Sequence, residues 1–138
     1  MGMGIPAGVA AALRYPNRQV FSIVGDGGAL MTGSELATAV AQKAKIRVIV
    51  ANNQHYGTIR YHQEVHFPTR NHYATNLVNP DFAKYGESFG LQCFTINEVE
   101  DITPTIQQSM EVDGPSLIEF KMSLELNTST TTISQLQT

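Results

Sequence analysis

A three-layer α/β/α fold around a mostly parallel sheet is the architecture this sequence predicts. Three observations carry that expectation. Two apolar runs, Val20-Phe21-Ser22-Ile23-Val24 and Ile46-Arg47-Val48-Ile49-Val50-Ala51, are close to unbroken, as strands are when both sheet faces are covered. A helical stretch separates them, which makes a β-α-β unit with a right-handed crossover. Helix and strand signals then alternate in the order α-β-α-β-(α)-loop-α-β-α-β, the pattern of a sheet sandwiched between helices.

Residues 5–13 are Ala-rich, with Ile5, Val9 and Leu13 on one helical spacing. Pro6 suits the first turn of that helix, and Tyr15-Pro16-Asn17 ends it. Doubly wound domains normally open on a strand, so a chain that opens Met1-Gly2-Met3-Gly4 and then a helix is expected to be truncated at its N-terminus. Residues 20–24 are a strand and residues 25–28 a tight turn. Thr32 or Ser34 caps the next helix, with Glu35 completing a capping box from Thr32. That helix runs to about Lys43, with Leu36, Ala37, Val40 and Ala41 inward. Residues 46–51 form the next strand.

A short helix is expected over 58–64. Residues 66–79 are polar (Pro68, Arg70, Asn71, Asn76) and read as a long loop, a kind that is usually functional or mobile. Asn79 caps a helix that has Pro80 in its first turn, Phe82, Tyr85 and Phe89 inward, and Gly90 at its close. Residues 91–96 are a strand. Residues 98–110 are helical with a break or restart at Pro104. Asp113-Gly114-Pro115 turns the chain into a last strand over 116–122 with alternating burial. Residues 127–138 are rich in Thr, Ser and Gln and read as a frayed tail. There are no internal repeats and no linker, so residues 1–126 are taken as one partial domain.

Composition closes several function classes. The 138 residues suffice for one domain with a core, at 42% apolar and 15% charged. Net charge is −3 with no basic stripe, which argues against nucleic acid. A single cysteine, Cys93, rules out an internal disulfide and fits a reducing compartment; within an apolar strand it reads as a buried, inert thiol. No apolar stretch reaches the ~20 residues of a membrane span, and no signal peptide is expected, since the N-terminus shows no charged region followed by an apolar core. A cytoplasmic protein is expected.

The chemistry concentrates at two strand ends. Gly25-Asp26-Gly27 follows the first strand, and after 25 intervening residues comes Asn53, second of the pair Asn52-Asn53 that follows the next. Open α/β sheets bind ligands at that edge. A carboxylate and an amide oxygen suit Mg²⁺, which prefers hard oxygens. Backbone N–H groups at Gly27, Gly28 and the following helix start favour an anion such as a diphosphate, which the ion would bridge. Asn53 leads into Gln54-His55-Tyr56-Gly57, a turn able to offer a backbone carbonyl, with Gly57 permitting close approach. Either motif alone is commonly structural; both on one β-α-β unit favour the ligand reading.

These residues resemble a known family. Gly25-Asp26-Gly27…Asn52-Asn53 resembles the thiamin-diphosphate motif, and Met1-Gly2-Met3-Gly4-Ile5-Pro6-Ala7 the Met-Gly-x-Gly-x-Pro-Ala stretch before it. Residues 25–39, Asn52-Asn53-Gln54-His55-Tyr56-Gly57, Asn79-Pro80-Asp81-Phe82-Ala83 and Asp113-Gly114-Pro115 are most similar to the C-terminal, diphosphate-binding domain of acetolactate synthase and its relatives. The resemblance implies a thiamin-diphosphate-binding fold, with thiamin diphosphate and Mg²⁺ as cofactors. It implies metal ligation by the Asp26 and Asn53 side chains and the His55 carbonyl. It implies diphosphate contacts from the backbone of Gly27, Gly28 and Ala29, which follow Gly25, and from the His55-Tyr56-Gly57 turn. Met1 would meet the aminopyrimidine through its main chain. Gly28 and Ala29 depart from the family's usual Ser or Ala and larger apolar residue.

The resemblance also implies what this chain lacks. In the family a pyrimidine-binding domain, usually on a second subunit, supplies the Glu that activates the cofactor. The chain is thus expected to be the C-terminal piece of a polypeptide roughly four times longer, in a homo-oligomer, with no catalytic residue of its own. Glu35 is a capping residue and no substitute. The intact enzyme would decarboxylate a 2-oxo acid such as pyruvate and add the carbanion to a second 2-oxo acid. Another decarboxylase, a pyruvate oxidase, or a non-catalytic fragment are the alternatives, and a flavin is left open. Weaker candidates are a zinc site from His55, His62, His66, His72 and Glu64, which a polar loop explains as well; substrate contacts from Tyr56 and Tyr61, where aromatic packing is the default; and anion contacts from Arg60 and Arg70, where a solvated loop face is favoured. Lys43 and Lys45 read as surface charge.

Overall fold

Four parallel strands set the frame: β1 (Val20–Gly25), β2 (Ile46–Asn52), β3 (Gln92–Ile96) and β4 (Ser116–Lys121), in the order β1-β2-β4-β3. A computed structural model describes residues 1–67, 72–126 and 131–136. The helices are α1 (Gly4–Arg14), α2 (Asp26–Thr32), α3 (Leu36–Ala41), α4 (Gly57–His66), α5 (Phe82–Ser88), α6 (Ile102–Glu111) and the single turn α7 (Ile133–Leu136). Leu117 and Ile118, adjacent in β4, point to opposite faces, and both are buried. Helices therefore cover the sheet on both sides. One face joins Val48, Val50 and Leu117 to Ile5 and Val9 of α1, Leu36 and Ala39 of α3, and Phe82 of α5 in a continuous core. On the other face α6 lies against β3 and β4. At the β1 edge that cover runs out, and Phe21 and Ile23 are exposed.

Register brings the functional strand ends together. Gly25 of β1 pairs with Ala51 of β2, and Asn52 with Lys121 of β4. Close packing of α1 on β1 and β2 needs a bare backbone at Gly8, where a Cβ would stand 2.6 Å from Ile46 Cδ1 and 2.9 Å from Ser22 Cβ. Arg47 is fully buried, its guanidinium donating to the carbonyls of Val112 at 2.8 Å and Gly114 at 2.5 Å. Burial pulls its pKa down, and the carbonyls of the α6–β4 turn take the place of a counter-anion. The sequence had offered no role for it.

Several local expectations are corrected. The segment after β1 is no glycine turn: α2 starts at Asp26 itself, with Gly25 extended as N-cap. A 3₁₀ turn, Gly33–Glu35, separates α2 from α3 and shifts the helical phase, so Ala39 is buried while Ala37 and Ala41 are exposed. Thr32 makes no capping box with Glu35. Its hydroxyl donates to Gly2 O at 2.7 Å, and Glu35 accepts from Thr38. The inner stripe of α1 is Ile5, Val9 and Ala12, leaving Leu13 exposed. Asp81, not Asn79, caps α5, accepting from Lys84 N at 3.0 Å. Pro104 causes no break, because it sits in the first turn of α6, where its missing N–H costs nothing. Burial in β4 is continuous over Ser116–Glu119 rather than alternating. Residues 131–136 do not fray: Ile133 is buried, Leu126 and Thr132 bridge, and Ser134 donates to Glu125. The rest of the expected tail, 127–130 and 137–138, and Pro68, Arg70 and Asn71 of the loop lie outside the described residues. Among the described residues no helix is long and apolar enough to cross a membrane.

Cys93 is half-buried, and burial pushes its thiol up to about 11 from an ordinary 9.0. At pH 8 its thiolate population should be about a hundredfold below that of an ordinary thiol. Ellman's reagent should label the folded chain at least about tenfold more slowly than the urea-unfolded chain. Equal rates would contradict a protected thiol.

Candidate functional site

The carboxyl ends of β1 and β2 open into a cleft of ≈ 400 Å³, walled by residues 1–4, 23–28 and 55–59. Eight of the expected residues line it: Met1, Gly25, Asp26, Gly27, Gly28, His55, Tyr56 and Gly57. Ala29 and Asn53 do not. Ala29 is the fourth residue of α2, where a helix begins to bond its own N–H groups, and it packs into the core.

Asp26 is 2% exposed. Its Oδ1 accepts from Gly27 N at 2.7 Å and its Oδ2 from Asn79 Nδ2 at 2.8 Å. The Gly27 N–H is therefore engaged, and Gly28 is the third residue of α2, in the first turn where a helix leaves its N–H groups without intrahelical partners. A Cβ at Gly28 would meet nothing closer than Gly2 N at 4.0 Å, and one at Gly25 nothing within 4 Å, so the backbone is open to a ligand there. Gly27 is different. A Cβ on it would lie 2.5 Å from Tyr56 Cε1, so the Tyr56 ring rests on bare backbone. Tyr56 packs within the site, as aromatic packing alone would have it.

The turn after β2 is held from two sides. Asn53 Oδ1 accepts from His55 N at 3.3 Å, and its Nδ2 donates to Leu126 O at 3.2 Å. Gln54 takes a left-handed φ of 58°. The segment expected to be a free loop runs antiparallel beside it: Tyr56 N donates to Thr75 O and Leu77 N to Gln54 O, both at 2.8 Å, and His55 bridges Asn76. His55 Nε2 faces Arg60 Nη1 at 3.0 Å. A guanidinium only donates, so Nε2 accepts and the imidazole is neutral. Burial first, then the Arg60 charge, hold His55 below the usual imidazole range. Arg60 in turn lies 3.5 Å from Glu64 Oε1, and His72 3.7 Å from the same oxygen.

The histidines do not converge. His62 and His66 stack on each other, and Tyr61 meets His62 edge-on. Among the described residues no three His, Cys, Asp or Glu side chains are placed to hold a metal, so the zinc alternative fails. A cation here would need amide and main-chain oxygens besides Asp26. The donor set fits a hard divalent ion. Asp26 is a buried carboxylate with two hydrogen bonds and no cationic partner among the described residues, an arrangement that a bound Mg²⁺ would neutralise. Arg60 faces His55 and Glu64 rather than open solvent, Lys45 pairs at the surface with Asp113, and Arg70 lies outside the described residues.

Two polar residues join the site without having been singled out for it, Asn79 and Glu119, and Asn52, the first of the motif's amide pair, links them. Asn79 Nδ2 donates to Asn52 Oδ1 at 2.8 Å as well as to Asp26, and Asn52 Nδ2 donates to Glu119 Oε1 at 2.7 Å. Glu119, 2% exposed, was legible as a carboxylate inside an apolar strand. Asn79 was hidden by its neighbour Pro80, which made a helix cap the nearer explanation.

Residues 1–120 match the profile of the family described as thiamine pyrophosphate enzyme, C-terminal TPP binding domain. A pyruvate oxidase of Lactiplantibacillus plantarum is 37% identical over 113 residues, which cover 81% of this chain and 18% of that protein. An acetolactate synthase large subunit of Pyropia yezoensis is 32% identical over 123 residues, covering 88% and 21%. A solved structure, the thiamine diphosphate-dependent 4-hydroxybenzoylformate decarboxylase of Rhodococcus jostii RHA1, superposes with a TM-score of 0.83 at 30% identity, covering 89% of this chain and 23% of that one. The chain thus spans about a fifth of the length of the curated relatives it matches.

The Gly27–Tyr56 contact makes a direct test. Gly27→Ala should destabilise the fold by about 1–3 kcal/mol through overpacking, read from urea unfolding. In a Tyr56→Ala background the same change should cost less than half as much. Strict additivity would show that the ring does not rest there.

Proposed function

The chain belongs to the thiamine pyrophosphate enzyme family as its C-terminal TPP-binding domain, and from that premise we propose that it anchors thiamin diphosphate through Mg²⁺ in the cleft at the ends of β1 and β2. One observation carries the metal: the buried Asp26 carboxylate, on the wall of the cleft and without a cation among the described residues. Asp26 and the His55 carbonyl, both on the cleft wall, would hold the ion; Asn53, whose side chain rests off that wall on His55 N and Leu126 O, would have to turn its amide oxygen toward Asp26 to join them. The Gly28 N–H, beside Gly27, and the His55-Tyr56-Gly57 turn would hold the diphosphate. The Met1 main chain, on the cleft wall, would meet the aminopyrimidine. When bound, the cofactor supplies the electron sink for cleaving a bond beside a carbonyl.

For the whole protein we read a 2-oxo acid decarboxylase that joins the product to a second 2-oxo acid, as an acetolactate synthase would, with a Glu-bearing pyrimidine-binding domain completing the site in a homo-oligomer. The similarity to acetolactate synthase subunits over most of this chain supports it. The 37% identity to a pyruvate oxidase favours oxidative decarboxylation as the second reading.

Calorimetry of the intact polypeptide with thiamin diphosphate should show binding that depends on Mg²⁺, and Asp26→Ala should weaken it by at least about tenfold, ~1.4 kcal/mol or more. Unchanged affinity would remove Asp26 from the metal site. With pyruvate as sole substrate, carboligation yields acetolactate, simple decarboxylation yields acetaldehyde, and an oxidase consumes an electron acceptor. Acetolactate as the main product is expected; its absence would overturn the ligation reading.

A further inference from the structure

Four polar side chains from four separate segments form one hydrogen-bonded chain, Asp26, Asn79, Asn52 and Glu119, in which donation runs outward from Asn79. Both ends are carboxylates, and a carboxylate only accepts. That settles which way each amide faces. Asn52 turns its NH₂ to Glu119, which leaves its Oδ1 toward Asn79. Asn79 then gives both its protons, one to Asn52 Oδ1 and one to Asp26 Oδ2, each at 2.8 Å. Its own Oδ1 is buried without a partner among the described residues. The reverse orientation would aim an oxygen at two acceptors, so the donors are what this position contributes.

We infer that Asn79 is a positioning residue of the metal site, holding the Asp26 carboxylate toward the cleft and tying it to the turn after β2. The inference rests on the reading that Asp26 holds Mg²⁺. Among the described residues, Asp26 Oδ1 is engaged by the next residue's N–H alone, a bond that moves with the carboxylate's own backbone, and Oδ2 has one tether to another part of the fold, Asn79. Asn79 is itself fixed on both sides. Two residues earlier Leu77 N donates to Gln54 O, and two residues later Asp81 caps α5, whose Phe82 is fully buried. The start of α2 and the end of β2, beside which the proposed ligands lie, are thereby joined through one neutral amide. Neutrality matters. An amide gives donors to the carboxylate without the positive charge by which a lysine would take the place of the ion.

Second-layer partners of this kind alter metal affinity by roughly 10–100-fold. In the intact polypeptide with saturating thiamin diphosphate, Asn79→Ala should raise the Mg²⁺ dissociation constant by about that factor. It should raise that for Ca²⁺ clearly less, because Ca²⁺ accepts irregular geometry and Mg²⁺ does not. Asn79→Ser, which keeps one short donor and guards against a folding failure of the alanine variant, should fall between. The circular dichroism of the metal-free protein should be unchanged. Mg²⁺ affinity within twofold of wild type in both variants, while Asp26→Ala abolishes binding, would overturn this inference alone. Mg²⁺ affinity insensitive to Asp26→Ala as well would overturn the reading beneath it, and this inference with it. An equal loss for Mg²⁺ and Ca²⁺ would mark Asn79 as merely structural.

Discussion

The site depends on a negative charge buried with no positive one to meet it. Asp26 begins α2 at the mouth of the cleft, nearly closed off from water, with two hydrogen bonds and no cation among the described residues. Such a group is costly to bury. Parallel register places it beside the end of β2, and Asn79 spans the gap. Much of the surrounding structure reads as what is required to keep that carboxylate in place: bare backbone under the Tyr56 ring, a turn clamped by residues 75–77, and a polar relay running back into β4.

The fold serves this arrangement mainly through its edges. Close approach of α1 brings the first residues of the chain onto the cleft wall, and Thr32 ties the end of α2 to Gly2. Arg47, far from the cleft, holds β2 to the α6–β4 turn by donating to carbonyls, and so steadies the strand that ends in Asn52. On the other side Asn53 donates to Leu126, which brings the chain after β4 against the same turn. The two halves of the amide pair thus face different ways. Asn52 belongs to the relay, and Asn53 to the turn and the segment beyond β4.

How much of this the sequence disclosed follows from the range of each signal. The strands and their parallel arrangement were legible because unbroken apolar runs are local and β-branched. The pair Gly25-Asp26-Gly27 and Asn52-Asn53 was legible because the chemistry sits at strand ends that the runs themselves define. The start of α2 was not, since two glycines after an aspartate argue for a turn, and only the packing of Tyr56 on Gly27 shows why they belong in a helix. Asn79 was misread because Pro80 made a local explanation sufficient, while its partners lie 27 and 53 residues away. The clasp of residues 72–77 on the turn was invisible for the same reason: main-chain pairing between two polar segments leaves no periodicity to find. The C-terminal turn was missed because a Thr- and Ser-rich composition conceals Ile133, a buried apolar anchor.

Gln54 holds a left-handed backbone without being a glycine, a conformation that costs about 1 kcal/mol. Two main-chain bonds from residues 75–77 and the side chain of Asn53 keep it there. The entropy of ordering this bend is thus surrendered while the chain folds, not when a guest arrives. A ligand meets a receptor already in shape, and its arrival should be governed by diffusion and shedding of hydration water rather than by rearrangement of the polypeptide.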